Sequence, residues 1–162
     1  MDEFRESQGF TQAWIWIIGL MPVLIIVSVF ITELAGNKVL NSKDIIAMAS
    51  ALVITLLTFL WIKLLRLETL IDSKGINVRF KGLVFAKRTI EWSEIEDAEI
   101  TGYDPLWDYG GWGVRYRPKN GWCYNVAGNV GLKLKLKNGK SFLIGTQKPD
   151  EIKKLLDVIS IK

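Results

Sequence analysis

Two long uncharged stretches near the front of the chain decide what the rest of it can be. No residue from 7 to 32 carries a charge, and residues 13–31 read AWIWIIGLMPVLIIVSVFI. A second uncharged run, IIAMASALVITLLTFLWI, covers residues 45–62. Eighteen helical residues rise about 27 Å, close to the ~30 Å hydrocarbon thickness of a bilayer, so each run is long enough to cross a membrane. Both would be apolar on every side, and the chain beyond residue 66 is too short to wrap two such helices as a soluble core.

A cleaved signal peptide expects a basic start and a small-residue cleavage site. Here the chain begins MDEFRE, and Leu34-Ala35-Gly36 is followed by Asn37 where a lipidated Cys would be needed. The first segment therefore reads as a retained anchor, kinked locally by Pro22. Ala47 and Ala51 place small residues four apart on the second segment, a spacing that permits close approach to the first. The linker over residues 33–44 closes the pair into a hairpin with both chain ends on one side. Arg5, Lys63, Arg66, Lys74 and Arg79 lie on the terminal side against Lys38 and Lys43 in the linker. That bias predicts cytoplasmic termini, and Trp14, Trp16 and Trp61 fall together as an aromatic belt on the same side.

After Arg66 the texture changes to short alternating runs divided by turn signals, the pattern of an antiparallel β domain. Residues 67–71 and 76–80 flank Asp72-Ser73-Lys74-Gly75; 85–92 and 98–103 flank a possible turn at Ser93-Glu94-Ile95. Residues 113–117 and 121–126 bracket a turn at Pro118. Residues 132–137 and 140–144 flank Asn138-Gly139, a strong two-residue hairpin signal. Together these read as about seven strands in a sandwich or open barrel. Residues 149–161 read as a helix: Pro149 suits its first position, Asp150 and Glu151 its positive end, and Ile152, Leu155, Leu156 and Ile159 form one apolar stripe. The expected division is 1–66 for tail and helical hairpin and 67–162 for an independently folding β domain with a pleckstrin-homology-like layout.

Four segments carry a family resemblance: FRESQGFTQAWIW at the N-terminus, YDPLWDYGGWGVR over residues 103–115, GWCYNVAGNVGLKLKLKNGK, and LIGTQKPDE over residues 143–151. In these the chain resembles a family of small uncharacterised bacterial membrane proteins in which a two-helix anchor precedes a bacterial pleckstrin-homology-like domain. The resemblance implies the fold and an inner-membrane location, and no activity.

The chemistry open to the chain is narrow. It has no histidine and a single cysteine, Cys123, which excludes His-based triads, His-containing zinc sites and multi-thiolate metal centres. Gly139-Lys140-Ser141 lacks the upstream glycine of a phosphate loop, since Leu134 stands there, and reads as a turn. Gly110, Gly111 and Gly113 fail the dinucleotide spacing at Tyr116. They read instead as tight turns under a brace of Tyr103, Trp107, Tyr109 and Trp112, or as a recognition surface formed by Trp107, Asp108, Tyr109, Trp112 and Arg115. Trp112 is expected to fold inward, Trp107 and Arg115 outward. The acidic residues Glu91, Glu94, Glu96, Asp97 and Glu99 lack calcium-loop spacing and read as a solvated face. Lys133, Lys135 and Lys137 share one strand face, with Lys137 expected opposite Lys140; these four are candidate contacts to an anionic leaflet. Cys123 reads as a small apolar filler. The β domain carries 16 basic and 12 acidic residues without a nucleic-acid motif, so nucleic acid is not an expected partner.

The expected function is a membrane-tethered binding or scaffolding module without enzyme activity or cofactor, its partners the bilayer and another membrane or cytoplasmic protein. The alternative is a small structural subunit of a larger membrane complex.

Overall fold

The computed structural model describes residues 3–36, 41–83 and 86–160. Lys38, Phe85, Ile161 and the side chain of Trp14, which carried sequence expectations, lie outside the described set. The chain divides into a helical unit, Thr11–Leu64, and a β unit built from the residues on both sides of it.

In the helical unit, α1 (Ala13–Ala35) runs through Pro22 and α2 (Ser42–Leu64) follows. Both are long and apolar enough to cross a membrane, and neither has a buried residue within its most apolar stretch. Asp44, Met48, Leu52, Thr55, Phe59 and Ile62 are the half-buried positions along α2 at helical spacing, and Phe59 meets Trp16 edge-on at 4.7 Å. Gly19 is what lets the helices close here, because a Cβ on it would stand 2.6 Å from the Phe59 ring. Ala47 and Ala51 are exposed instead; the small residue at the contact comes from α1, not α2. Ser28, Thr32, Ser50, Thr55 and Thr58 each donate a hydroxyl hydrogen bond to a carbonyl three or four residues back in their own helix, so none needs an outside partner.

The β unit holds nine strands among the described residues, in two sheets. One sheet has the order β1-β2-β3-β4: β1 (Phe4–Gly9), β2 (Arg66–Ile71), β3 (Gly75–Lys81) and β4 (Lys87–Glu91), all antiparallel. The other has the order β5-β8-β9-β7-β6: β5 (Ile95–Gly102), β6 (Gly113–Arg117), β7 (Gly121–Asn125), β8 (Val130–Leu136) and β9 (Ser141–Gly145). A short helix α3 (Pro105–Tyr109) precedes β6, and α4 (Pro149–Ser160) ends the chain's described part. The inner faces meet in one core: Leu67, Ile71, Ile76, Val78, Phe80 and Ile90 from the first sheet, Leu132, Leu134, Leu136, Phe142 and Ile144 from the second. Helix α4 packs on β5, β8 and β1 through Ile152 and Leu155, with Leu156 and Ile159 beside them.

This arrangement corrects three expectations. First, strands number nine rather than about seven, and β7 pairs with β9 in parallel where a wholly antiparallel domain was expected. Second, residues 1–66 are not tail and hairpin alone. Strand β1 pairs with β2 from Phe4↔Ile71 to Gly9↔Arg66, so the β unit starts before the helices and they interrupt one of its hairpins. The strand hides in the sequence because the inward residues after Phe4 are Glu6 and Gln8. Third, the turn after β8 is one residue longer than Asn138-Gly139. Gly139 donates its N–H to the Leu136 carbonyl at 2.8 Å and Leu136 donates to the Lys140 carbonyl at 2.9 Å. Gly139, at φ +78, thus closes a three-residue loop in the left-handed conformation. Lys135 then faces Ser141 and Lys133 faces Leu143, and Lys140 stands opposite Leu136 rather than Lys137. Only this register puts the leucines of β8 on the core face with Phe142 and Ile144, because a one-residue slip exchanges the faces.

Buried polar groups lock β1 in place. The Glu6 carboxylate accepts hydrogen bonds from the Thr146 hydroxyl at 2.7 Å and the Gln147 N–H at 2.8 Å, just ahead of α4. Gln8 Nε2 donates to the Gly145 carbonyl at 2.7 Å. Glu6→Ala should therefore lower the stability of the β unit by about 2–3 kcal/mol, since it strands the buried Thr146 hydroxyl and the part-buried Gln147 N–H, both of which met a charge. Chemical denaturation of wild type and variant reads this directly, and an unchanged midpoint would show that β1 is not held there.

Candidate functional site: a cationic aromatic groove

The glycine-aromatic segment over residues 103–115 is built as a cover for the outer face of the second sheet. Asp104 caps α3, its Oδ1 accepting from the N–H groups of Leu106 and Trp107 at 2.8 and 2.9 Å, while Asp108 Oδ2 accepts from the Asp104 N–H at 2.8 Å. Gly110 ends the helix in the left-handed conformation. These bonds aim Tyr109 onto Cys123 and Leu143, with Tyr103 edge-on to it at 6.0 Å. Burial pushes the Tyr103 and Tyr109 phenols up to about 12 and also raises the Cys123 thiol, the behaviour of groups held away from water. Trp112 is half-buried and Arg115 is exposed, its Nε donating to the Trp112 carbonyl at 3.0 Å. Trp107 is 82% exposed. The five residues named as a recognition surface are thus divided: Tyr109 fills a small core, Asp108 holds the helix start, Trp112 is half-buried, and Trp107 and Arg115 face solvent.

The four candidate lysines are divided as well. Lys133 and Lys135 pair with Glu99 and Glu96 at 3.3 and 2.9 Å across β5 and β8, so the acidic stretch neutralises part of the basic row. Glu91 and Glu94 serve locally as a reciprocal cap of the 3-10 turn Trp92–Glu94. Lys137 is exposed in the turn. Lys140 is exposed just ahead of β9, its carbonyl accepting from the Leu136 N–H, which sets it two residues before Phe142 on the same alternation.

That placement brings Lys140 into a groove the sequence reading did not single out. A cavity of about 470 Å³ opens where edge strand β4 stands across from β6 and β7. Its floor is apolar and aromatic, from Leu83, Ala86, Val114, Trp122, Tyr124 and Phe142, and its rim carries Lys87, Arg88 and Lys140. Arg88 lies two residues from buried Ile90 and opposite Val78, which turns its side chain to the inner face of the first sheet. Its guanidinium sits 5.4 Å from the Phe142 ring centroid, a cation-π distance. Burial raises the Tyr124 phenol and the Arg88 charge opposes that rise. Trp122 packs against Tyr116 with the rings tilted and their centroids 5.1 Å apart beside the opening. Among the described residues no carboxylate lines the cavity.

No protein-family model matches this chain, and no curated protein or solved structure matches it either. The chemistry of the groove must therefore be read from its own residues. Its volume is in the range of small-molecule sites, and an apolar floor with a few convergent charges is how such sites are lined. Among the described residues lining the groove, the charged groups are cations alone, Lys87, Arg88 and Lys140, set over an apolar and aromatic floor.

Proposed function

We propose that this chain is a membrane-anchored binding module, its apolar helices crossing the bilayer as a hairpin that holds a pleckstrin-homology-like domain on the cytoplasmic face. The observation that carries this reading is the pairing of β1 with β2 around the helical insertion. Both helices are joined to adjacent strands of one sheet, through residues 10–12 on one side and Leu65 on the other. Two sheets around a single core with a terminal helix packed on it support the pleckstrin-homology-like layout; the parallel β7–β9 pair is a departure from it. The excess of Lys and Arg on the terminal side supports the orientation.

A reporter enzyme fused after Lys162 should be active in the cytoplasm. Protease added to intact spheroplasts should leave the β domain whole and cut it only after lysis. Digestion before lysis reverses the orientation, and recovery of the protein without membranes removes the anchor.

A further inference from the structure

We infer that the groove between β4 and β6–β7 binds an organic phosphate: an anionic group held by Arg88 and Lys140, with an apolar body laid against Trp122, Tyr124 and Phe142. The inference rests on the binding-module reading for its premise that the domain has a ligand, and not on the orientation in the membrane.

The two principal cations enter from opposite walls. Arg88 stands on the inner face of β4, and Lys140 follows the core-side alternation of β9 set by the Leu136–Lys140 hydrogen bond. Alternation would place an apolar residue at Arg88, opposite buried Val78, and Lys140, exposed at the end of the turn ahead of β9, brings a second charge to the other side of the same opening. An inward charge on an edge strand also blocks strand addition, which accounts for Arg88 on β4. It does not account for Lys140, which stands just ahead of the central strand β9 rather than on an edge strand. Nor are these cations matched to acids. Among the described residues neither they nor Lys87 join an ion pair with a carboxylate, whereas Lys133 and Lys135 on the opposite face both do.

The Arg88 guanidinium over Phe142 is partly preorganised. A planar fork fixed in this way meets phosphate with paired hydrogen bonds, and a nearby ammonium adds charge without geometric demand. The aromatic floor gives the remainder of the ligand an apolar face, so inorganic phosphate alone should bind weakly. A phosphate on an apolar body is found in soluble aryl or nucleoside phosphates and in the headgroup region of acidic lipids, and one experiment separates them.

The full chain in phosphatidylcholine nanodiscs is titrated with 1-naphthyl phosphate by calorimetry, with 2-naphthol and inorganic phosphate as half-ligands. The expected result is saturable binding of naphthyl phosphate and much weaker binding of either half. Arg88→Gln and Lys140→Gln should each weaken it about tenfold, as loss of one charged hydrogen bond implies, while Lys133→Gln leaves it unchanged. Repeating the titration in discs containing phosphatidic acid assigns the source: competition supports the site with a lipid headgroup as occupant, and its absence supports the site with a soluble phosphate. No binding by the wild-type chain, or equal losses in Lys133→Gln and Arg88→Gln, overturns the inference. The spheroplast assay stays independent, so failure here leaves the anchored-domain reading to its own test.

Discussion

A chain beginning at Leu65 should show no cooperative unfolding, whereas residues 4–10 joined to it by a short turn in place of Thr11–Leu64 should give a soluble, cooperatively melting domain. The difference is β1. Removing it strips six paired residues from β2 and takes away Phe4, Glu6 and Gln8, all buried. It uncovers the inner side of Leu67 and Ile71, both fully buried, and leaves Thr146 and Gln147 without the Glu6 carboxylate. Losses of this kind reach the whole net stability of a small domain, about 5–15 kcal/mol. They also leave β2 as a raw edge open to aggregation. Rejoining is feasible because Gly9 stands opposite Arg66, the spacing at which an antiparallel pair accepts a tight turn. Thermal melts followed by circular dichroism decide it. A cooperative transition in the Leu65 chain at the temperature of the rejoined one would show that β1 is dispensable and restore the boundary at residue 67.

The same strand marks where sequence reading succeeds and where it stops. The two apolar helices, the hairpin around Asp72, the paired runs at 113–117 and 121–126, and the stripe of α4 were legible because each is a local pattern with a strong period or turn signal. Strand β1 was not, because Glu6 and Gln8 look outward-facing until the buried partners at Gly145, Thr146 and Gln147 are in place, almost the whole chain away. Helix α3 is shorter than any helical period can reveal, and its cap at Asp104 was the available signal. The groove failed for a related reason. Arg88 lies on the same alternation as Ile90, so its inward placement could be read from the sequence, but Lys140 reverses face with a single residue of turn length. Trp122, Tyr124 and Phe142 join them only through the parallel β7–β9 pairing, which no local pattern announces.

The tyrosine and tryptophan of α3 provide the sharpest contrast in stability. Tyr109→Ala should lower the stability of the β unit by about 3–5 kcal/mol, the range for removing a buried aromatic ring, while Trp107→Ala should stay within about 0.5 kcal/mol of wild type. The two residues are separated by one position on the same short helix, so helix propensity is nearly common to both and the difference reports their surroundings. Tyr109 is 6% exposed, against Cys123, Leu143 and Tyr103, and α3 is tied to the next turn by Asn120 Nδ2 donating to the Asp108 carbonyl at 2.9 Å. Truncation at 109 opens a cavity under the helix that the sheet below cannot fill, since Cys123 and Leu143 project from a parallel pair already fixed in register. Trp107 makes no comparable burial, so its loss returns little surface to water. Denaturation midpoints of the two variants in the rejoined β domain give the comparison. Equal destabilisation would mean that Trp107 packs as well, and α3 would then be a brace along its whole length.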